Sequence, residues 1–257
     1  IRDRYEAALP GRQAFCMRDV SHHITGAHYL GLDSHSRNML LRFAQNMAES
    51  RDFCSFWEIT KDYAPAKADY RSDAEFWYNL PANFDVLDAC WRAYKLTGDK
   101  SYINSYDFNH FYDVTVHEYV ERWDHDGDGV PDRAVFGNFR GIPSYDEQQG
   151  MEQAVVAADL IAAQIRGYLS YAALAKLRGI NAEKSVTEAQ RLKQELTKNW
   201  WDSNSNSFFS AKLKDGSFVS TLGSPHLLAY FNVIEDTKKL HTLLEKIHAD
   251  ALQGVIV

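Results

Sequence analysis

No apolar run in the 257 residues approaches the ~20 that a membrane-spanning helix requires, which excludes a helical span. Cysteine is scarce. Cys16, Cys54 and Cys90 leave an odd thiol and form no CxxC pair, so spacing implies neither a disulfide framework nor a zinc site. Basic charge is outnumbered, 28 Lys and Arg against 35 Asp and Glu, for a net charge of -7. A nucleic-acid backbone or an anionic membrane is therefore a poor main partner, and neither is expected. No stretch is rich enough in Pro or Ser to act as a linker, so residues 1–257 read as one domain. No signal peptide opens the chain. Ile1 runs directly into charged residues and an apolar Gln253–Val257 tail closes it, so both ends read as cut.

Aromatic residues are plentiful at 13%, and apolar residues recur mainly at three- and four-residue spacing. That spacing predicts amphipathic helices over Arg37–Ala48, Ala82–Leu96, Tyr106–Trp123, Glu152–Leu177, Ala182–Trp200 and Thr237–Ala249. Gly98 and Gly179 supply left-handed stops. Short strand signals at Ser207–Leu213 and Gly216–Ser220 flank an Asp215-Gly216 turn, predicting a small β-hairpin. The helices also repeat. An apolar helix ends in Gly, a more polar one follows and ends in Trp-Asp, and a long polar loop returns the chain, at Trp123-Asp124 and again at Trp201-Asp202. The interval of about 80 residues implies helical hairpins, about three and a fraction in this length.

Four constellations can carry chemistry. Arg18 and Asp19 place a planar fork of donors beside an acceptor, which suits paired sugar hydroxyls; a capping Asp beside an incidental Arg is the plain alternative. The adjacent His22 and His23 cannot share a ligand well on one helix. Around Asp73–Pro81, Glu75, Trp77 and Tyr78 combine acids with aromatic faces on which a pyranose can stack, or else form core and caps. Asp124, Asp126, Asp128 and Asp132 alternate around Gly127 and Gly129 as a hard, oxygen-seeking cation requires. An EF-hand loop starting at Asp124 would close on a Glu at its twelfth position, and Val135 stands there. A structural calcium and a loop held by its own Asx turns both remain open. Lastly, Tyr145-Asp146-Glu147 puts neighbouring acids beside an aromatic ahead of the longest helix, material for a general acid or for a cap.

The run Trp-Asp-x-Asp-Gly-Asp-Gly-x-Pro-Asp, followed by Tyr-Asp and a small-residue helix, resembles the six-hairpin glycosidases. These are the (α/α)6 toroid superfamily of glucoamylases, processing α-glucosidases and α-rhamnosidases. Met17-Arg18-Asp19 is similar to the Arg-Asp with which such enzymes grip a terminal sugar. The tract from Trp201-Asp202 through Gly216 and Gly223 resembles one carried late in their ring. The resemblance implies an all-α fold of toroid hairpins, incomplete in this chain, with long functional loops on one face. It implies hydrolysis of a terminal glycosidic bond, with Asp146 as general acid, Glu147 as its near rival, and Arg18 and Asp19 on hydroxyls. The Asp73–Pro81 block matches no signature of that superfamily, so Trp77 or Tyr78 against the ring and Glu75 beside it rest on residue type alone, as does Tyr145 beside the acid. No cofactor is required, the structural calcium staying open as above, and the partner is a carbohydrate.

One departure stands out. The late Gly-Pro-x-Trp stretch that carries the second carboxylate in inverting relatives is missing before Val257, so that carboxylate is expected beyond the chain's end unless Asp19 or Glu75 supplies it. Two alternatives accompany this reading. A polysaccharide lyase or unsaturated uronyl hydrolase would draw on His22, His23, Arg140 or Tyr145, and a helical repeat could bind carbohydrate without catalysis. The substrate class places the protein in the periplasm or outside the cell.

Overall fold

The computed structural model describes residues 3–134, 140–145, 153–220 and 225–253. It is predominantly helical. Helix α1 (Met17–Tyr29) turns through Leu30-Gly31-Leu32 into α2 (Asp33–Gln45), Gly31 taking the left-handed φ of 70° that the turn needs. His28, in the last turn of α1, lies 2.9 Å from Asp33 in the first turn of α2, where an acidic side chain suits the helix N-terminus. Next come α3 (Ala82–Thr97), a short α4 (Ser101–Asn104), and α5 (Tyr106–Val114), which runs through a π-helical turn into α6 (Val120–Trp123). A third pair is α7 (Ala158–Leu177) and α8 (Glu183–Asn199), and a fourth α9 (Pro225–Tyr230) and α10 (Thr237–Leu252).

The pairs stand in two layers. In one, α1 packs on α3, α3 on α7 and α7 on α9; in the other, α2 lies against α5, and α8 and α10 cover α7 and α9. Composition explains the division. Helix α7 is rich in Ala, Leu and Ile and buries most of its length, Asp159, Gln164 and Ser170 included, whereas α8 buries only Ser185, Ala189, Leu192 and Leu196. Gly167 lets α7 approach α3 closely, since a Cβ there would come within 2.8 Å of the Phe84 ring. A buried ionic node ties the inner layer together: Asp88 of α3 accepts from Arg92 (2.7 Å), from Arg166 (3.0 Å) and from Ser170 (2.7 Å), the last two on α7. Arg92 also donates to the Ser21 carbonyl of α1 at 2.7 Å. One cluster of buried apolar side chains extends from Ala7 to Leu243. Among the described residues no helix is long and apolar enough to cross a membrane.

The expected β-hairpin is present as β8 (Ala211–Leu213) and β9 (Phe218–Val219), with Gly216 at the turn. More short strands form than the pattern predicts. β1 (Ala14–Cys16) pairs with β2 (Glu58–Thr60), β3 (Tyr70–Ser72) with β4 (Glu75–Phe76), and β6 (Trp201–Asp202) with β7 (Ser207–Phe208). A correction concerns the longest helix. Residues Ala154–Ala157 are strand β5, paired with β8, and α7 begins only at Ala158, because a short Ala/Val run adopts whichever state its partner offers.

Candidate active site

Pairing of β1 with β2 sets Cys16, the residue before α1, opposite Glu58. The first turn of α1 then presents Arg18 and Asp19 beside Trp57 and Glu58. Residues from the long connection between α2 and α3 add Asp69 and Trp77. Together with Arg12 and Leu9 these line an open cavity of about 370 Å3, within the size range of small-molecule sites. Asp19 does not cap α1, whose N-cap is Cys16. The Arg18 guanidinium lies 5.5 Å from the Trp57 ring centre and donates to the Tyr145 carbonyl at 3.0 Å. Cys16 also faces the cavity, but burial pushes its thiol well up, so it is no thiolate nucleophile.

Tyr145 is gripped by all three long inner helices. Its carbonyl accepts from Arg18 of α1, its N–H donates to Asp159 of α7 at 3.0 Å, and its hydroxyl donates to Asp85 of α3. The preceding residue is fixed as well, Ser144 donating to Asp159 (2.6 Å) and accepting from Asn79 (2.9 Å). Burial, with Asp85 alongside, pushes the Tyr145 hydroxyl well above its usual range. His22 completes this corner. Its Nε2 lies 3.6 Å from Asp85, and its ring stacks on Tyr230 and meets Tyr145 edge-on. Asp146 and Glu147 follow directly in sequence and lie outside the described residues.

The structure divides the other expected site residues. Arg18, Asp19 and Trp77 share the cavity. Tyr78 does not, and its expected stacking on a sugar ring is corrected: the residue is 0% exposed, its hydroxyl donating to Asn83. Successive side chains of an extended segment point to opposite faces, so Phe76 and Tyr78 turn into the core and Trp77 between them turns out. Glu75 is also corrected as a sugar contact. It is exposed on β4, pairs with Arg71 at 2.6 Å, and is not among the described residues lining the cavity. Trp57, Glu58, Asp69 and Arg12 escaped the sequence reading; Trp57 and Glu58 reach α1 only through the long-range pairing of β1 with β2.

The acidic loop separates likewise. Oxygens of Asp124, Asp126 and Asp128 lie within 4.8 Å of one another. Asp124 accepts the N–H groups of Gly127 (2.8 Å), Asp128 (3.0 Å) and Gly129 (2.9 Å). Asp126 and Asp128 each commit one oxygen to a backbone N–H further on. Desolvation, with Asp126 and Asp124 alongside, pushes the Asp128 carboxyl above its ordinary range. Asp132, expected as a fourth ligand, is corrected: it is buried, accepts the His125 N–H at 2.9 Å and sits 3.0 Å from His125 Nδ1. Arg191 and Gln164 fasten the loop to α8 and α7 through the carbonyls of Asp128 and Gly129.

Compared with known protein families and with curated proteins, the chain matches none.

Proposed function

We propose that the protein is a glycoside hydrolase that removes a terminal sugar by carboxylate acid–base catalysis. The observation that carries the reading is the cavity, where two guanidiniums, three carboxylates and two indole rings surround a space of small-molecule size. Hydroxyl pairs take acceptors and forked donors together, and pyranose faces lie on aromatic rings. Arg18 and Asp19 hold hydroxyls in this scheme, with Trp77 and Trp57 against the ring. Asp146, bonded to the clamped Tyr145, protonates the leaving oxygen, with Glu147 as its rival. The two-layered hairpins accord with a segment of an (α/α)6 toroid, four of them among the described residues. A structural calcium would rest on the oxygens that Asp126 and Asp128 keep outside their turns, with Asp124 beside them. Export to the periplasm or beyond belongs to the same proposal.

The lyase reading receives less support. A tyrosine base must ionise readily, whereas burial and Asp85 disfavour a Tyr145 tyrosinate. Arg140, which could take a uronate carboxylate, pairs with Asp52.

The decisive experiment compares Asp146→Asn with Glu147→Gln on glycosides with good and poor leaving groups. The donor's variant should lose ~10²–10⁴-fold on the poor leaving group and far less on the activated one. If Glu147→Gln alone behaves so, the acid is Glu147. Failure of both patterns removes this loop from the chemistry.

A further inference from the structure

Glu58 is a cavity-lining side chain whose hydrogen bonding is incomplete. It is 2% exposed, and its Oε2 accepts from Arg12 at 2.7 Å. Its other oxygen, Oε1, is buried and has no hydrogen-bond partner among the described residues. A buried carboxylate oxygen left unpaired is costly, and such exceptions call for a physical explanation. The neighbours supply one. Glu58 lines the same cavity as Arg18, Asp19, Trp57 and Trp77, so its carboxylate belongs to the wall that a ligand would meet, and a small turn of the side chain would bring Oε1 to a ligand donor.

The charge of the wall narrows the ligand. Asp19, Glu58 and Asp69 outnumber Arg12 and Arg18. Both guanidiniums are already engaged, Arg12 by Glu58 and, at 3.6 Å, by Asp69, and Arg18 by the Tyr145 carbonyl and the Trp57 face. A ligand carboxylate would therefore meet excess negative charge and committed cations, while hydroxyl or ammonium donors would meet acceptors.

We infer that Glu58 is a specificity-determining acceptor for a sugar hydroxyl, and that the cavity selects uncharged or amino sugars over uronates. The inference rests on the carbohydrate reading and narrows it to a substrate class. Glu58 holds and orients the sugar, and no bond-breaking step is assigned to it.

The test is a calorimetric titration with the methyl glycosides of glucose, galactose, mannose, rhamnose and glucosamine and with methyl glucuronide and methyl galacturonide. The wild-type protein and Glu58→Gln are compared. A neutral or amino glycoside should bind at least about tenfold tighter than either uronide, and Glu58→Gln should weaken it by about tenfold, since one charge-assisted hydrogen bond is lost. Uronides that bind as well as their neutral counterparts overturn the inference. So does a Glu58→Gln variant that binds like the wild type at an unchanged melting temperature. Should that variant fail to fold, the wild-type comparison of methyl glucoside with methyl glucuronide decides alone. If no glycoside binds, the carbohydrate reading falls and the inference with it, an outcome distinct from binding without selectivity.

Discussion

Two regions of this molecule gather acidic side chains, and they treat them differently. In the loop from Asp124 to Asp132, backbone N–H groups complete the turns: Asp124 alone accepts three, and Asp132 closes on His125. Beside α1, Glu58 keeps a buried oxygen without a partner, and Trp57 and Trp77 flank an open space. Carboxylates that satisfy their own backbone build a loop. A carboxylate held short of full bonding, next to aromatic faces and a fixed guanidinium, builds a place for something else.

The two regions should therefore respond to mutation in opposite ways. Asp124→Ala leaves three backbone donors without their acceptor and should cost about 2–4 kcal/mol of stability while leaving sugar affinity unchanged. Thermal or urea unfolding beside a glycoside titration would separate the two effects. A comparable loss of affinity would erase the distinction.

Asp19→Asn should do the reverse, weakening glycoside binding about tenfold or more with little change in melting temperature. Arg18→Lys should be nearly as harmful to binding as Arg18→Ala, because a point charge cannot replace a planar fork that also lies against Trp57 and holds the Tyr145 carbonyl. Lysine that restores binding would show that Arg18 supplies only charge.

Calcium acts on the loop alone in this account. Millimolar calcium should raise the melting temperature, and chelation should lower it again, with no effect on a chemical step. A melting temperature indifferent to calcium removes the metal. The smallest effect concerns Asp73, whose carboxyl is held down to about 2 by hydrogen bonds from Ser50, Tyr70 and Arg51. A depressed carboxylate adds stability above its unfolded value near 4, and that stability is lost as pH falls from about 4 towards 2. Because the Asp73 side chain is 36% exposed and so screened by solvent, Asp73→Asn should flatten the acid limb of the stability profile only slightly.

The helices were largely legible in the sequence, since α3, α8 and α10 keep a 3.6-residue period, α7 is a long run rich in Ala, Leu and Ile, and α3 and α7 stop at Gly98 and Gly179. The start of α7 was misread because Ala154–Ala157 carries no period that distinguishes strand from helix; its pairing with β8 decides. Within the site, Arg18, Asp19 and Trp77 could be read locally, from residue type alone. Tyr78 could have been separated from Trp77 by the two-residue alternation of an extended segment, and Asp132 by the histidine seven residues before it. Trp57 and Glu58 could not be found that way. Their place beside α1 depends on β1 pairing with β2 across more than forty residues of chain, which no local pattern encodes.

The most direct test of the cavity as a sugar site follows the indole N–H resonances of Trp57 and Trp77 during titration with a methyl glycoside. The account predicts saturable shifts at these two, abolished by Arg18→Ala, while the buried Trp200 stays still. Glycoside binding that leaves Trp57 and Trp77 unmoved would contradict it.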